Sequence, residues 1–314
     1  MQLIRGINNA PSFERGSVAT IGAFDGVHLG HQALFHAVVE KSKALQLPSV
    51  VICFEPLPRE YFSQQNSPSR VMNFREKYEA MSALGIDYIL RIRFDERLRN
   101  MTALGFVEAV FVNCLHTKHI TIGDDFRFGH DREGGQRLLS RVSKRFGFEL
   151  ADTLSIESGG TRVSSSEIRK SLEQGDFEAS ERMLGRPYSM SGKVVYGRQL
   201  GRTLGFPTAN IQVKRHKSPM AGVYIARIRL ANGDTHNAVA NVGTRPTLDD
   251  GGIKAVLEVH VLNFNGHLYG QRVEVTFLKK LRDERKFDSI DVLQKAIHAD
   301  AEQATIWFKQ AASA

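Results

Sequence analysis

His28 and His31 stand three positions apart at the end of a glycine-rich run, Gly22-Ala23-Phe24-Asp25-Gly26-Val27-His28-Leu29-Gly30-His31. Where a strand turns into a helix, such a run suits a phosphate. Glycine lets backbone N–H groups approach, and the helix N-terminus adds a favourable dipole. Both imidazoles can then point into one crevice and hold the charge that builds on a pyrophosphate leaving group. The plainer reading is a glycine turn bearing two surface histidines. A second constellation is Arg162-Val163-Ser164-Ser165-Ser166-Glu167-Ile168-Arg169. Ser164 and Glu167 have the spacing of a capping box and need no function. Three consecutive serines between Arg162 and Arg169 go further, toward a hydroxyl-and-guanidinium clamp on phosphate at another helix start.

Gly123-Asp124-Asp125-Phe126-Arg127-Phe128-Gly129 sets a polar Asp125 beside Phe126 and Phe128. A flat aromatic ligand needs apolar faces with a few polar contacts of this kind, although a loop with core phenylalanines would look the same. In the second half, Gly197-Arg198-Gln199-Leu200-Gly201-Arg202-Thr203-Leu204-Gly205-Phe206-Pro207-Thr208-Ala209-Asn210 is the most specific stretch. Pro207 biases Phe206 toward extended backbone, and on an extended segment Thr208 and Asn210 share one face. Their oxygens suit Mg²⁺, which binds nucleotide phosphates through few protein groups. Glu258 leaves the apolar face formed by Leu257, Val259 and Val261. On the residues alone it reads as a solvated charge on an amphipathic strand. No G-x-x-x-x-G-K-[ST] run occurs, so a kinase built here is not a P-loop enzyme.

The elements that must position these groups follow from periodicity. Residues 17–24, 49–54, 87–92 and 119–123 read as buried strands, and 34–45, 74–84 and 102–115 keep helical spacing. That alternation implies a parallel sheet covered by helices, with ligands outside the carboxyl ends of its strands. The period then changes to two: Ala226, Ile228 and Leu230, then Leu257, Val259 and Val261, then Val273, Val275 and Phe277 alternate with polar neighbours. This is antiparallel structure, barrel or sandwich. Ile290, Leu293, Ile297, Ala301, Ala304 and Phe308 close the chain as a helix. A Gly–x–Pro stop at Gly185-Arg186-Pro187 divides the chain into residues 1–185, including a helical linker, and residues 186–314.

Among 314 residues, 42% are hydrophobic and 24% charged, which excludes a mostly disordered or fibrous chain. Net charge is +8, a balance that raises nucleic acid, anionic membrane and phosphorylated small molecules as partners. Its distribution narrows the choice: residues 1–185 carry 23 basic and 23 acidic side chains, residues 186–314 carry 19 and 11. Phosphate-bearing small molecules then suffice, and neither nucleic acid nor membrane is required. Cys53 and Cys114 stand in apolar runs, which suits buried, reduced thiols. The first residues lack an apolar signal core and no 18-residue apolar run occurs, so a cytoplasmic protein is the expectation.

H-x-G-H after the first strand with a later S-S-S-x-x-R resembles the nucleotidyltransferase superfamily. Gly123–Gly129 resembles the flavin-side loop of FMN adenylyltransferases, and residues 197–210 resemble the riboflavin kinase signature G-x-x-x-G-R-x-L-G-F-P-T-A-N. Asn241-Val242-Gly243-Thr244-Arg245-Pro246-Thr247 and the basic segment 278–287 match as well. Over residues 15–310 the chain is similar to the bacterial bifunctional riboflavin kinase/FMN adenylyltransferase, or FAD synthetase, family.

The resemblance implies a Rossmann-like α/β nucleotidyltransferase domain followed by an antiparallel β-barrel kinase domain with a C-terminal helix. It implies riboflavin, FMN and ATP as substrates, FMN and FAD as products, and Mg²⁺. By the same resemblance, Gly22, Phe24, Asp25, Gly26, His28, His31, Arg162, Ser165, Ser166 and Arg169 hold ATP phosphates, with His28 and His31 catalytic. Asp125, Phe126 and Phe128 face the flavin. Gly201, Arg202, Gly205, Phe206, Pro207, Thr208 and Asn210 serve the kinase site, Thr208 and Asn210 with the metal, and Glu258 is its general base. Phe54-Glu55-Pro56-Leu57-Pro58 departs from the family pattern. Leu57 stands where many members carry histidine, so that residue's phosphate contact does not carry over. Two alternatives remain: a nucleotidyltransferase for another phosphorylated acceptor with a non-catalytic basic C-terminal domain, and a non-catalytic nucleic-acid-binding protein. Oligomeric state is left open, a homo-oligomer included.

Overall fold

Six parallel strands form the first sheet of the computed structural model, which describes residues 1–63, 66–123, 126–153, 156–158, 160–197, 205–246 and 253–312. They are β1 (Gln2–Arg5), β2 (Ser17–Ile21), β3 (Ser49–Phe54), β4 (Tyr88–Ile92), β5 (Thr117–Gly123) and β6 (Glu149–Thr153). Their order is β1-β4-β3-β2-β5-β6, with every neighbouring pair parallel. Helices α1 (Leu29–Leu45), α2 (Pro58–Phe62), α3 (Phe74–Ala83), α4 (Glu96–Arg99), α5 (Ala103–Phe106) and α6 (Gln136–Phe146) connect them. Every residue of β2 and β3 is buried, as expected for strands covered on both faces. From β2 the chain moves outward through β3 to β4, then crosses back to lay β5 on the other side of β2. The carboxyl ends of β2 and β5 therefore flank the point where strand order reverses, the usual ligand crevice of open α/β sheets.

Local detail departs from periodicity in three places. The first long strand stops at Ile21 rather than residue 24, because Phe24, Gly26 and Val27 take positive φ values of 49°, 90° and 43°. β1 is a four-residue edge strand, too short to show alternation. The helix expected over 102–115 begins at a Thr102 cap, whose Oγ1 accepts the Gly105 N–H, and widens into π-helical turns over Val107–Cys114.

A hairpin of β7 (Glu157–Ser158) and β8 (Thr161–Arg162) precedes α7 (Ser165–Gln174) and α8 (Phe177–Leu184). Then come β9 (Ser189–Val195), β10 (Ala209–Gln212), β11 (Gly222–Arg229), β12 (Thr235–Pro246), β13 (Ile253–Val261), β14 (Arg272–Arg282) and the long helix α9 (Ile290–Ala312). The six strands close as an antiparallel barrel in the order β10-β13-β12-β11-β14-β9, which decides between barrel and sandwich. Met190, Ala240, Leu257, Val275 and Phe277 are buried in it. α9 lays Ala304 and Phe308 against Val223, Ile225 and Val239, and Arg282 grips Asp300 through Nε and Nη2 at 3.0 and 2.8 Å.

The chain forms two compact units, Met1–Pro68 with Lys77–Ser164, and Ser69–Glu76 with Ser165–Ala314. α7 and α8, a linker of the first domain by sequence, thus belong to the barrel unit. So does the segment 69–76, held there by polar groups: Glu76 pairs with the buried Arg215 and accepts the Ser191 N–H at 2.7 Å. The Tyr188 hydroxyl, itself bonded by Arg215 at 2.9 Å, donates to the Val71 carbonyl. Cys53 is buried, Cys114 half-buried, and they form no disulfide. No helix among the described residues is long and apolar enough to cross a membrane.

Candidate active sites

The crevice of the first unit is built by the turn from β2 into α1. Gly22 begins it with its N–H on the Ile52 carbonyl, and a β-carbon there would lie 2.8 Å from the Phe24 ring, so only glycine fits. Positive φ at a β-branched residue such as Val27 is a strained conformation, costing about 1–3 kcal/mol, of the kind concentrated at ligand-binding loops. His28 ends the loop as the N-cap of α1, its Nδ1 accepting the His31 N–H at 3.4 Å. The two imidazoles stack with centroids 3.6 Å apart and planes 20° from parallel. Phe24 closes edge-on against His31 at 5.2 Å, and Asp25 and Val27 are buried beside it. Sequence spacing anticipated one shared crevice; the stacking is what folding adds. Burial, with the neighbouring His28 and Lys77, holds the His31 proton affinity well below that of an ordinary histidine. Its Nδ1 is buried without a hydrogen-bond partner among the described residues.

A seam of aromatic rings runs past the carboxyl ends of β3, β4 and β5. Phe126 stacks on Phe128 at 5.4 Å, Phe128 touches Phe106, Phe106 touches Phe54, and Phe54 meets Phe94. Phe94 packs against Tyr61 and Phe62 of α2, and Phe62 is 60% exposed. Sequence reading found only the Phe126–Phe128 end; α2 lies far off in sequence and its aromatic pair carries no periodic signal. Asp125 lies outside the described residues. Leu57 donates its N–H to Glu60 at the start of α2. Arg162 is exposed on β8. Ser165, Ser166 and Arg169 begin α7 in the second unit, where the Arg169 Nε donates to the Ser69 carbonyl at 2.6 Å.

On the barrel, strand register assembles the second site. Asn210 of β10 and Asn241 of β12 both stand opposite Glu258 of β13. Residues paired across antiparallel strands share a face, so the three side chains form one row. Their neighbours Ala209, Ile211, Leu257, Val259, Ala240 and Val242 are all buried on the other face. Among the described residues the Asn241 Oδ1 is buried without a partner, and Gly197 packs so closely on the Asn210 amide that a β-carbon would collide with it. Asn241 lay inside a matched motif, but its place beside Glu258 depends on pairing between distant strands. Just before β10, Phe206 is flanked by His260 and by His298 of α9, and the His260 Nδ1–H donates to the Pro207 carbonyl at 3.0 Å. A cleft opens beside Thr208, walled by Val194, Val259, Phe264, Leu268 and Tyr269. Gly205 is exposed at the loop end, and Gly201 and Arg202 lie outside the described residues. Part of the basic segment is structural: Arg282 is committed to Asp300, and Lys280 bonds Asp283 at 2.7 Å.

Comparison with known proteins finds two family models along the chain. A family model described as FAD synthetase matches residues 10–167, and one described as riboflavin kinase matches residues 184–308. The bifunctional riboflavin kinase/FMN adenylyltransferase of Haemophilus influenzae is 44% identical over 308 residues, 98% of this chain and 99% of that protein. Its Escherichia coli K12 counterpart is 41% identical over 309 residues, 98% of each. A crystal structure described as a macrolide-efflux protein from Streptococcus pneumoniae superposes with a TM-score of 0.75 at 27% identity, covering 97% of this chain and 99% of that one.

Proposed function

Because this chain belongs to the bifunctional riboflavin kinase/FMN adenylyltransferase family, we propose that its two activities divide between the His28–His31 crevice and the Asn210–Glu258–Asn241 row. It phosphorylates riboflavin to FMN and adenylylates FMN to FAD. The observation that carries the division is the separation of donor sets. One unit holds stacked imidazoles at a helix start, the other a carboxylate among amides on a barrel wall.

In adenylyl transfer, an FMN phosphate oxygen attacks the α-phosphorus of ATP and pyrophosphate leaves. Little covalent work falls to the protein; positioning and charge stabilisation dominate. His28 and His31 hold the phosphates, and His31, neutral while the crevice is empty, takes up a proton as negative charge arrives. Phe126 and Phe128 supply the apolar end for the isoalloxazine, and the seam continuing to Phe62 extends that surface.

In the kinase reaction Glu258 takes the proton from the terminal ribityl hydroxyl as its oxygen attacks the γ-phosphorus, and ADP departs. ATP lies in the cleft beside Thr208, whose Phe264 and Tyr269 walls suit a purine. Thr208 and Asn210 offer hard oxygen donors next to a carboxylate, a set that fits Mg²⁺ and would hold it. When bound, Mg²⁺ neutralises charge on the transferring phosphates. Substrates of this kind and thiols without a disulfide suit a cytoplasmic enzyme.

Incubation with riboflavin, ATP and Mg²⁺, followed by chromatography of the flavins, tests the reading. FMN and then FAD are expected, and absence of both sinks it. FAD formation from supplied FMN that survives loss of His31 overturns the assignment of the crevice.

A further inference from the structure

Lys77 is 1% exposed, the most deeply buried cation of the first unit's crevice, and nothing in its sequence context marks it. It lies in the first turn of α3, whose chain reaches back to the β2–α1 loop so that Nζ donates to the Ala23 carbonyl at 2.9 Å. Among the described residues it forms no ion pair. An ammonium taken out of water without a counter-charge costs several kcal/mol, so such a group normally has a carboxylate beside it. Here the loop it holds is the one whose N–H groups and imidazoles face the crevice. We infer that Lys77 is a positioning residue for adenylyl transfer, fixing the Ala23 carbonyl and presetting positive potential that the polyphosphate of ATP completes.

The inference rests on assigning ATP to the His28–His31 crevice and adds the missing counter-charge to it. One carbonyl satisfies one of the three ammonium hydrogens, and among the described residues no carboxylate pairs with it. A triphosphate entering over the same loop supplies that compensation through a low-dielectric wall, where fixed charges act strongly. His28 and Lys77 are the charged or titratable groups that bear on His31. Removing the Lys77 charge therefore also raises the His31 proton affinity, an effect separable from any loss of packing.

The test uses the full-length enzyme with FMN supplied, measuring KM for ATP and for FMN in FAD formation, with riboflavin phosphorylation as the folding control. Lys77→Gln keeps a donor but removes the charge, Lys77→Met removes both, and Lys77→Arg keeps the charge. For the Gln and Met variants KM for ATP should rise about tenfold, as expected for losing a partly screened charge interaction. KM for FMN and riboflavin phosphorylation should stay within about twofold by the same reasoning, since neither depends on that charge. Inhibition by AMP should weaken less than inhibition by pyrophosphate, the alkaline limb of the pH–rate profile should move upward, and Lys77→Arg should recover most of the affinity. The inference falls if Lys77→Gln keeps the wild-type KM for ATP, if ATP and FMN are weakened equally, or if a folded Lys77→Arg binds no better than Lys77→Gln. An intact FAD-forming activity in His31→Ala would instead remove the ATP assignment on which it rests.

Discussion

The two sites are assembled by opposite means. The proposed phosphate crevice is local: ten consecutive residues, from Gly22 to His31, contain its turn, its helix start and both imidazoles. The proposed kinase row is non-local, because Asn210, Asn241 and Glu258 meet only where three antiparallel strands pair. A local site stores its geometry in backbone strain at Phe24 and Val27. A register site stores it in the hydrophobic faces of strands, since a one-residue slip would turn Glu258 into the barrel and Leu257 out. One consequence is that single substitutions should separate the activities cleanly.

The sharpest break in the comparison is expected from Glu258→Gln. Losing the proposed general base should slow riboflavin phosphorylation about 10²–10⁴-fold while FMN is still converted to FAD, read by chromatography of each half-reaction. His31→Ala should do the reverse, lowering FAD formation about 10²–10³-fold and leaving flavin stalled at FMN. If either folded variant lost both activities, the division would be wrong. A finer cut is Asn241→Ala. An amide oxygen that gains its partner only from substrate is worth roughly one hydrogen bond, so kinase kcat/KM should fall about tenfold with FAD formation untouched. The smallest effect concerns protons. Burial holds the His31 proton affinity well below the usual value and bound phosphate raises it, so ATP binding should take up as much as about one proton there and strengthen as pH falls. Calorimetry in buffers of different ionisation enthalpy reads that uptake, and His31→Asn should abolish it.

Much of this was legible before folding. β3 spans the residues that periodicity marked, α3 and β4 differ by a single residue, and α9 begins where its spacing begins. The His28–His31 pairing was readable because i and i+3 on a helix start face one way. What remained hidden has a common cause. β1 gains its partner only from β4, the aromatic seam joins α2 to loops after β4 and β5, and Glu76 finds Arg215 across 139 positions. None of these carries a short-range pattern.

By itself, then, the chain's order of residues determined an α/β half and an antiparallel half, many of their longer elements, their separate charges and the type of chemistry each bears. Local sterics and capping act over a few residues and leave their mark in sequence. Tertiary structure alone decided that the antiparallel half closes as a barrel, that helices 165–184 and segment 69–76 belong with it, and that Asn241 stands beside Glu258. It also decided where Lys77 ends: a lysine reads as surface until the sheet folds a loop over it, and burial turns an ordinary cation into a fixed potential.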